Sequence, residues 1–292
     1  MTAIRLTRAG PLTTLQDAGR VGFLAAGISA SGPMDRGGFE RAGLWLGGAG
    51  TTGIEFTSGV AFEVEAGPLG MAGDGGDFGL TINGQAMAWP ARVVLKPGDL
   101  VEVRPGARGN WGYLRFGREV EIEPVLGSRA ANSIAGLGRM LSAGDRIGFG
   151  EEAPRRAAPH PRPTPPVDAP IRMIWGLHAD GFDREVRQRF VEEPFRVSAR
   201  MDRMGTRLED RAGIFRDQRV LSLVSDAIVP GDIQILGDGT PIVLMRDHQP
   251  TGGYPRIATV VTADLDRLAQ LRPGSEVRFE PVTVKHAQGL RP

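Results

Sequence analysis

A short unit recurs four times along the chain and limits what the chain can become. Leu95-Lys96-Pro97-Gly98-Asp99-Leu100-Val101-Glu102-Val103 resembles Leu141-Ser142-Ala143-Gly144-Asp145-Arg146-Ile147-Gly148-Phe149 and Leu271-Arg272-Pro273-Gly274-Ser275-Glu276-Val277-Arg278-Phe279. Val229-Pro230-Gly231-Asp232-Ile233-Gln234-Ile235 is a fourth copy. Each sets Pro or Ala before Gly, then a polar residue, then alternating apolar residues. Pro presets φ at the second position of a type II turn, and Gly accepts the positive φ of the third. The alternation that follows is that of a half-buried strand. Two copies fall in each half, which is compatible with two related β-barrels. Glycine extends the argument, because 42 of the 292 residues are Gly, roughly twice the average share. They lie between short apolar runs, as tight turns between short strands require. The expected fold class is mainly β, with a few short helices.

Further strands are predicted at Ile54–Phe56, Ala61–Glu65, Val93–Leu95, Tyr113–Phe116, Ile171–Trp175, Val220–Val224, Ile242–Met245 and Ile257–Thr262. Asp35–Leu46 reads as a helix with Phe39, Ala42 and Leu46 on one face. Asp180–Phe190 carries Phe182, Val186 and Phe190 at i, i+4 and i+8, with Asp180 as its cap. A third helix runs from Ala263 to Leu271 behind Thr262 as N-cap. Glu151–Pro170 holds seven prolines and almost no large apolar residue. Proline fixes φ and withholds an N–H, so this stretch is expected to be extended. It is read as a linker between an N-terminal half, 1–150, and a C-terminal half, 171–292.

Several function classes are disfavoured. The formal net charge is +1, from 35 basic and 34 acidic residues, without the basic excess of a nucleic-acid binder. No apolar run is long enough to span a bilayer, and Met1–Arg8 lacks the apolar core of a secretory signal. The expected location is cytoplasmic. With no cysteine in the chain, disulfides and thiolate catalysis are excluded. His160, His178, His248 and His286 have no ligand spacing, so no metal is expected. No phosphate loop and no nucleophile elbow occurs.

Three polar segments are the candidate site. Gln16-Asp17-Ala18-Gly19-Arg20 with Ser31-Gly32-Pro33-Met34-Asp35 sets two acids and an Arg among glycines that allow close backbone approach. In Met201-Asp202-Arg203-Met204-Gly205-Thr206-Arg207-Leu208, two guanidinium forks suited to carboxylate or phosphate straddle a glycine. Arg246-Asp247-His248-Gln249-Pro250-Thr251-Gly252-Gly253-Tyr254-Pro255 follows an apolar strand, where sheet-mouth sites are built. Locked turns and ion pairs explain each segment about as well, so the residues alone give a site and no reaction.

These segments resemble the family of biotin-dependent carboxyltransferases and 5-oxoprolinase C-subunits, also called allophanate hydrolase subunit 2. Gly10–Arg20 and Ser31–Asp35 resemble its N-terminal signature, and Val125-Leu126-Gly127-Ser128-Arg129 its central motif. Asp202–Gly205 with Arg207-Leu208, then Gly231–Gln234, Gly239–Leu244, Asp247–Gln249 and Thr251–Pro255, resemble the remainder in order. The resemblance implies a cyclophilin-like β-barrel architecture and a KipI-like partner, the family's B-subunit. It implies the C-subunit of an ATP-dependent 5-oxoprolinase, opening the 5-oxoproline lactam to glutamate with that partner and a LamB/YcsF-like protein, the A-subunit. On this reading the chain is inactive alone, and ATP sits on, or is shared with, a partner. Two alternatives follow from the same family: the carboxyltransferase component of a urea or amide carboxylase, with biotin carried by another protein, and a KipA-like regulatory partner. By resemblance, Asp247, His248 and Arg203 are catalytic candidates. Gln16, Asp17, Arg20, Met34, Asp35, Ser128, Arg129, Arg207, Gln234, Thr251, Gly252, Gly253 and Tyr254 are the binding candidates. Backbone donors at Gly19-Arg20, Gly205–Arg207 and Thr251–Tyr254 are expected to face a developing oxyanion, with Asp247 or His248 moving the proton. The chain departs from the family pattern at Ala42-Gly43, Gly47-Gly48, Ala130-Ala131, Gly176-Leu177-His178 and Pro250-Thr251.

Overall fold

The structure is a computed structural model and describes residues 2–154, 169–216 and 223–290. It divides into two units, Met1–Val21 with Ala30–Pro163, and Gly22–Ser29 with Thr164–Pro292.

In the first unit the strands are β1 (Thr2–Ala9), β2 (Thr14–Gln16), β3 (Gly53–Phe56), β4 (Val60–Ala66), β5 (Leu69–Gly75), β6 (Phe78–Ile82), β7 (Gln85–Met87), β8 (Ala91–Leu95), β9 (Leu100–Pro105), β10 (Gly112–Phe116), β11 (Arg118–Val120) and β12 (Arg146–Glu152). They form a seven-stranded sheet, β11-β12-β1-β4-β9-β6-β7, and a five-stranded sheet, β2-β3-β10-β5-β8. Alternation decides which side is buried. Ile4 and Leu6 of β1, Val60, Phe62 and Val64 of β4, and Val101 and Val103 of β9 enter one core with Ile54, Phe56, Leu114 and Phe116 of the second sheet. Helix α1 (Arg36–Leu46) packs on β5 and β10. On β5, Leu69 and Met71 enter the core, while Gly70 lies against Leu46 of the helix. Asp35 caps α1 as expected, its carboxylate accepting from the Gly38 N–H at 2.7 Å.

The second unit comprises β13 (Ile171–Trp175), α2 (Arg184–Glu192), β14 (Phe195–Met201), β15 (Gly205–Glu209), β16 (Asp226–Ala227), β17 (Asp232–Ile235), β18 (Pro241–Leu244), β19 (Thr251–Gly252), β20 (Arg256–Val260), α3 (Thr262–Ala269), β21 (Glu276–Val277), β22 (Phe279–Pro281) and α4 (Val284–Gly289). Eight of these strands run in the order β21-β14-β15-β18-β17-β20-β13-β22. The two end strands are separated in sequence by Arg278 alone, so one short stretch joins both edges and brings the sheet close to a barrel. Phe190, Phe195, Phe215 and Phe279 form an aromatic cluster, with Phe190 and Phe279 stacked at 5.0 Å.

The four repeated units are four copies of one turn. Gly98, Gly144, Gly231 and Gly274 have φ of 86°, 92°, 96° and 91°. In each, the residue after Gly donates to the carbonyl three residues back: Asp99 to Lys96, Asp145 to Ser142, Asp232 to Val229 and Ser275 to Arg272. Each Gly N–H also donates to a neighbouring strand, at Val64, Leu6, Leu244 and Val197. The mainly β expectation therefore holds in both units.

Some boundaries differ from expectation. Asp180 does not cap a helix; it lies in a 3₁₀ turn at Ala179–Gly181, and α2 starts later with Asp183 as its N-cap. The i, i+4, i+8 spacing still marks the inward face, since Phe182, Val186 and Phe190 are all buried. Thr262 is the first residue of α3, and Val261 is its N-cap. β12 runs through Glu152, two residues past the expected end of the N-terminal half. Most of the expected Pro-rich linker, 155–168, and part of the strand expected at Val220–Val224 lie outside the described residues.

Candidate functional site

In the first unit, the Gln16–Arg20 segment and the 125–131 loop tie together. Asp17 accepts three hydrogen bonds, from the Gly19 N–H at 2.9 Å, Ser128 Oγ at 2.5 Å and the Arg129 N–H at 2.6 Å. Arg20 is buried and donates to the carbonyls of Val125, Ser128 and Ala130. Arg129 sends its own guanidinium to the Ile122 carbonyl. Gln16 donates to Thr14 Oγ1 and the Ala131 carbonyl, while its Oε1 is buried without a partner. The residues marked in the sequence do meet here, but most of their polar atoms hold loops. Gly19, at φ 87°, permits this closure, since a Cβ there would lie 2.4 Å from the Ala30 carbonyl oxygen.

Met34 and Asp35 open α1 over a buried acid and phenol. The Met34 N–H donates to Glu55 Oε2 and the Asp35 N–H to Tyr113 Oη, both at 2.7 Å. Burial, then the charges of Glu55 and Asp35, push the Tyr113 phenol well above its ordinary range. Tyr113 is therefore a neutral phenol at any physiological pH. Glu55 and Tyr113 escaped the sequence reading because both lie in apolar strands, GIEF and GYLRF. A lone acid inside GIEF was the available signal.

In the second unit, Arg203 and Asp247 form a bidentate ion pair. Nε donates to Oδ2 and Nη2 to Oδ1, each at 2.9 Å, with side-chain exposures of 1% and 0%. The Asp247 N–H also donates to the Arg203 carbonyl. Forty-four residues of sequence separate the partners. The expectation that Asp247 shuttles a proton does not follow from this geometry: both its oxygens are engaged by one guanidinium, away from solvent. Next to it, His248 is buried and its Nδ1 lies 2.6 Å from the Gln249 carbonyl. A carbonyl only accepts, so Nδ1 carries the proton and Nε2 the lone pair. Burial lowers the His248 pKa, against the raising effects of Gln249, Asp232 and Asp247, and keeps the ring neutral at pH 7.

A row of side chains, polar at three of its four positions, crosses the sheet. Register places Arg207 opposite Ile242, Ile242 opposite Gln234, and Gln234 opposite Arg256, on four adjacent strands. Directly paired residues share a face. Gln234 is buried and its Nε2 has no hydrogen-bond partner. That nitrogen lies where a Cβ on Gly252 would come within 2.5 Å, so a larger residue in β19 would push the Gln234 amide aside. β19 pairs with β16, and Arg256 braces this ribbon through the Ala227 carbonyl at 2.7 Å and Asp226 at 2.6 Å. Asp232 accepts from Thr259 Oγ1 and the Val229 N–H, and its carboxylate lies 3.5 Å from Arg256. His178 Nδ1 accepts from the Arg256 N–H at 3.2 Å, and burial followed by the Arg256 charge lowers its pKa. Arg207 also lines a cavity of about 600 Å³ with Arg200, Arg216 and Asp238. Tyr254 is 42% exposed, and the Gly253 carbonyl accepts from the Leu223 N–H. Arg256 and Asp226 were missed. The charge heading the apolar strand RIATV was a usable signal for Arg256, while Asp226 had none. Among the described residues, no group of three or more His, Cys, Asp or Glu is placed to hold a metal ion. No helix among them is long and apolar enough to cross a membrane.

The family described as carboxyltransferase domain, subdomain A and B, matches residues 26–281. The C-subunit of 5-oxoprolinase from Escherichia coli K12 is 31% identical over 99% of this chain and 94% of that protein. The 5-oxoprolinase C-subunit of Haemophilus influenzae is 30% identical over 95% of this chain and 91% of its own length. The crystal structure of Kluyveromyces lactis urea amidolyase superposes with a TM-score of 0.86 at 25% identity, covering 98% of this chain but only 19% of that much longer one. By the extent of these matches, the chain belongs to the carboxyltransferase domain family that contains subdomains A and B.

Proposed function

We propose that this protein is the C-subunit of an ATP-dependent 5-oxoprolinase, which opens the 5-oxoproline lactam to glutamate in the cytoplasm. The observation that carries the reading is the near end-to-end similarity to two bacterial proteins of that name. The chain works in an assembly with a LamB/YcsF-like protein and a KipI-like protein and is inactive alone. It has no phosphate loop, so the nucleotide belongs on, or is shared with, a partner.

Lactam opening adds water across a planar amide whose oxygen gains negative charge, and that oxygen needs preorganised donors. On this chain the donor in question is Gln234 Nε2, buried beside Gly252 and unpartnered. Neutral His248, with its lone pair on Nε2, is the group suited to accept a proton at pH 7. Arg203 and Asp247 are positioning residues that hold 203–204 against 245–248 and so fix the residue beside His248. An omission series tests the proposal: this chain and its two purified partners, with glutamate release from 5-oxoproline followed with and without ATP. Release without this chain, or with this chain alone, contradicts it.

The family match and the urea amidolyase fold favour one second reading. The same amide-binding groups would serve transfer of a carboxyl group from carboxybiotin, carried by another protein, to an amide nitrogen.

A further inference from the structure

Arg115, on β10, is a buried cation with no ion-pair partner among the described residues. Only 8% of it is exposed. Its Nη1 donates to the Phe39 carbonyl at 3.1 Å and Nη2 to the Gly50 carbonyl at 2.5 Å, while Nε is buried with no partner. Its Cζ lies 3.9 Å from the centre of the Phe39 ring. Glu119 and Glu40 act on it only through space, and Glu119 is engaged by Thr51, Thr52 and Val120. Burial lowers the guanidinium pKa to about 10. A buried charge left unpaired is costly, and a fold keeps it where something else completes it.

What lies beside Arg115 is a cavity of about 270 Å³ in the first unit, lined by Glu40, Gly43, Leu44, Gly47, Gly48 and Arg115, with Ala49 completing the wall. Three of these are glycines, and one of them opens the path to the cation. A Cβ on Gly43 would sit 3.1 Å from Arg115 Nη1 and 3.3 Å from Cζ. An α-helix interior disfavours glycine by about 1 kcal/mol, yet Gly43 leaves this approach to the guanidinium clear. The cavity thus offers one cation with N–H groups to spare and one exposed carboxylate, Glu40. A guanidinium recognises a carboxylate, and a carboxylate recognises an N–H.

We propose that this cavity binds a small amino- or amido-carboxylate, with the ligand's carboxylate on Arg115 and its N–H on Glu40. The site stands on the first unit alone and does not depend on which reaction the assembly performs. Isothermal titration of the full chain with 5-oxoproline, L-glutamate and 2-pyrrolidinone, the last having the ring and N–H but no carboxylate, tests it. Binding of 5-oxoproline or glutamate is expected, with none of 2-pyrrolidinone. Gly43→Ala, whose methyl lies against Arg115 in the approach to it, should weaken that binding at least about tenfold, with circular dichroism checking that the chain is folded at the assay temperature. Glu40→Gln, a surface change, should weaken it about tenfold, the loss of one charge-assisted hydrogen bond. Failure of both carboxylates to bind, equal binding of 2-pyrrolidinone, or binding unchanged in both variants overturns the proposal. Because the readout is binding to the isolated chain, its outcome is separate from whether the assembled complex hydrolyses 5-oxoproline.

Discussion

Removing one member of the Arg203–Asp247 pair should cost far more than removing both. The two side chains are 1% and 0% exposed and share two hydrogen bonds of 2.9 Å. Asp247→Ala leaves a guanidinium in a place that water does not reach, and Arg203→Met leaves a carboxylate there. Breaking a buried pair in this way costs about 3–5 kcal/mol. At about 3 °C per kcal/mol for a domain of this size, the melting temperature should fall by about 9–15 °C. Replacing both with apolar residues, as in Arg203→Met/Asp247→Leu, removes the stranded charge and should recover most of that loss. Thermal scans by circular dichroism, with urea titrations to check that the slope is unchanged, measure the cycle. The activity arm carries the mechanistic content. A positioning pair predicts that the double variant keeps activity in the assembled complex to within about tenfold. Single variants that melt within about 3 °C of the parent, or a double variant that folds well and has no activity, would refute the assignment.

Three other outcomes follow from the geometry. Gly252→Ala places a methyl 2.5 Å from Gln234 Nε2, so turnover of the complex should drop by at least about tenfold while the second unit stays folded; unchanged turnover would remove Gln234 from the site. Tyr113→Phe strips the phenol that accepts from the Asp35 N–H and should lower stability by about 1–3 kcal/mol, read by urea unfolding. The lowered pKa of buried His248 means that the unfolded chain takes up a proton which the folded one refuses. Stability should therefore fall as pH drops below about 6.5, the unperturbed value, and level off below the folded-state pKa. His248→Gln should flatten that dependence, and a His248 ring resonance titrating at or above 6.5 in the NMR spectrum would contradict it.

How much of this was legible depended on whether the signal was local. The turn units could be read because their chemistry sits in three consecutive residues, and all four glycines took the positive φ that the type II reading demands. The cap at Asp35 was equally local. β5 was not legible: LGMAGDG has too few large residues to show an alternation, and its small ones serve to let α1 and Trp89 approach. The site shows the same division. Segment 16–20 was singled out by its residues and 125–129 only by its resemblance to the family's central motif, yet nothing local said that Arg20 would face backbone carbonyls rather than a ligand. Arg203 and Asp247 were both marked, but a pair separated by 44 positions cannot be matched by spacing within an element. Arg115 was read only as part of an apolar strand, because its importance arises from the helix and glycines laid over it.

The central claim is best tested by asking what the assembled complex makes. The complex of this chain with its LamB/YcsF-like and KipI-like partners is incubated with 5-oxoproline and ATP, and separately with urea, bicarbonate and a biotinylated carrier, and the products are identified by mass spectrometry. The account expects glutamate from the first mixture, dependent on ATP and on all three proteins. Carboxylated urea from the second, with no glutamate from the first, would contradict it.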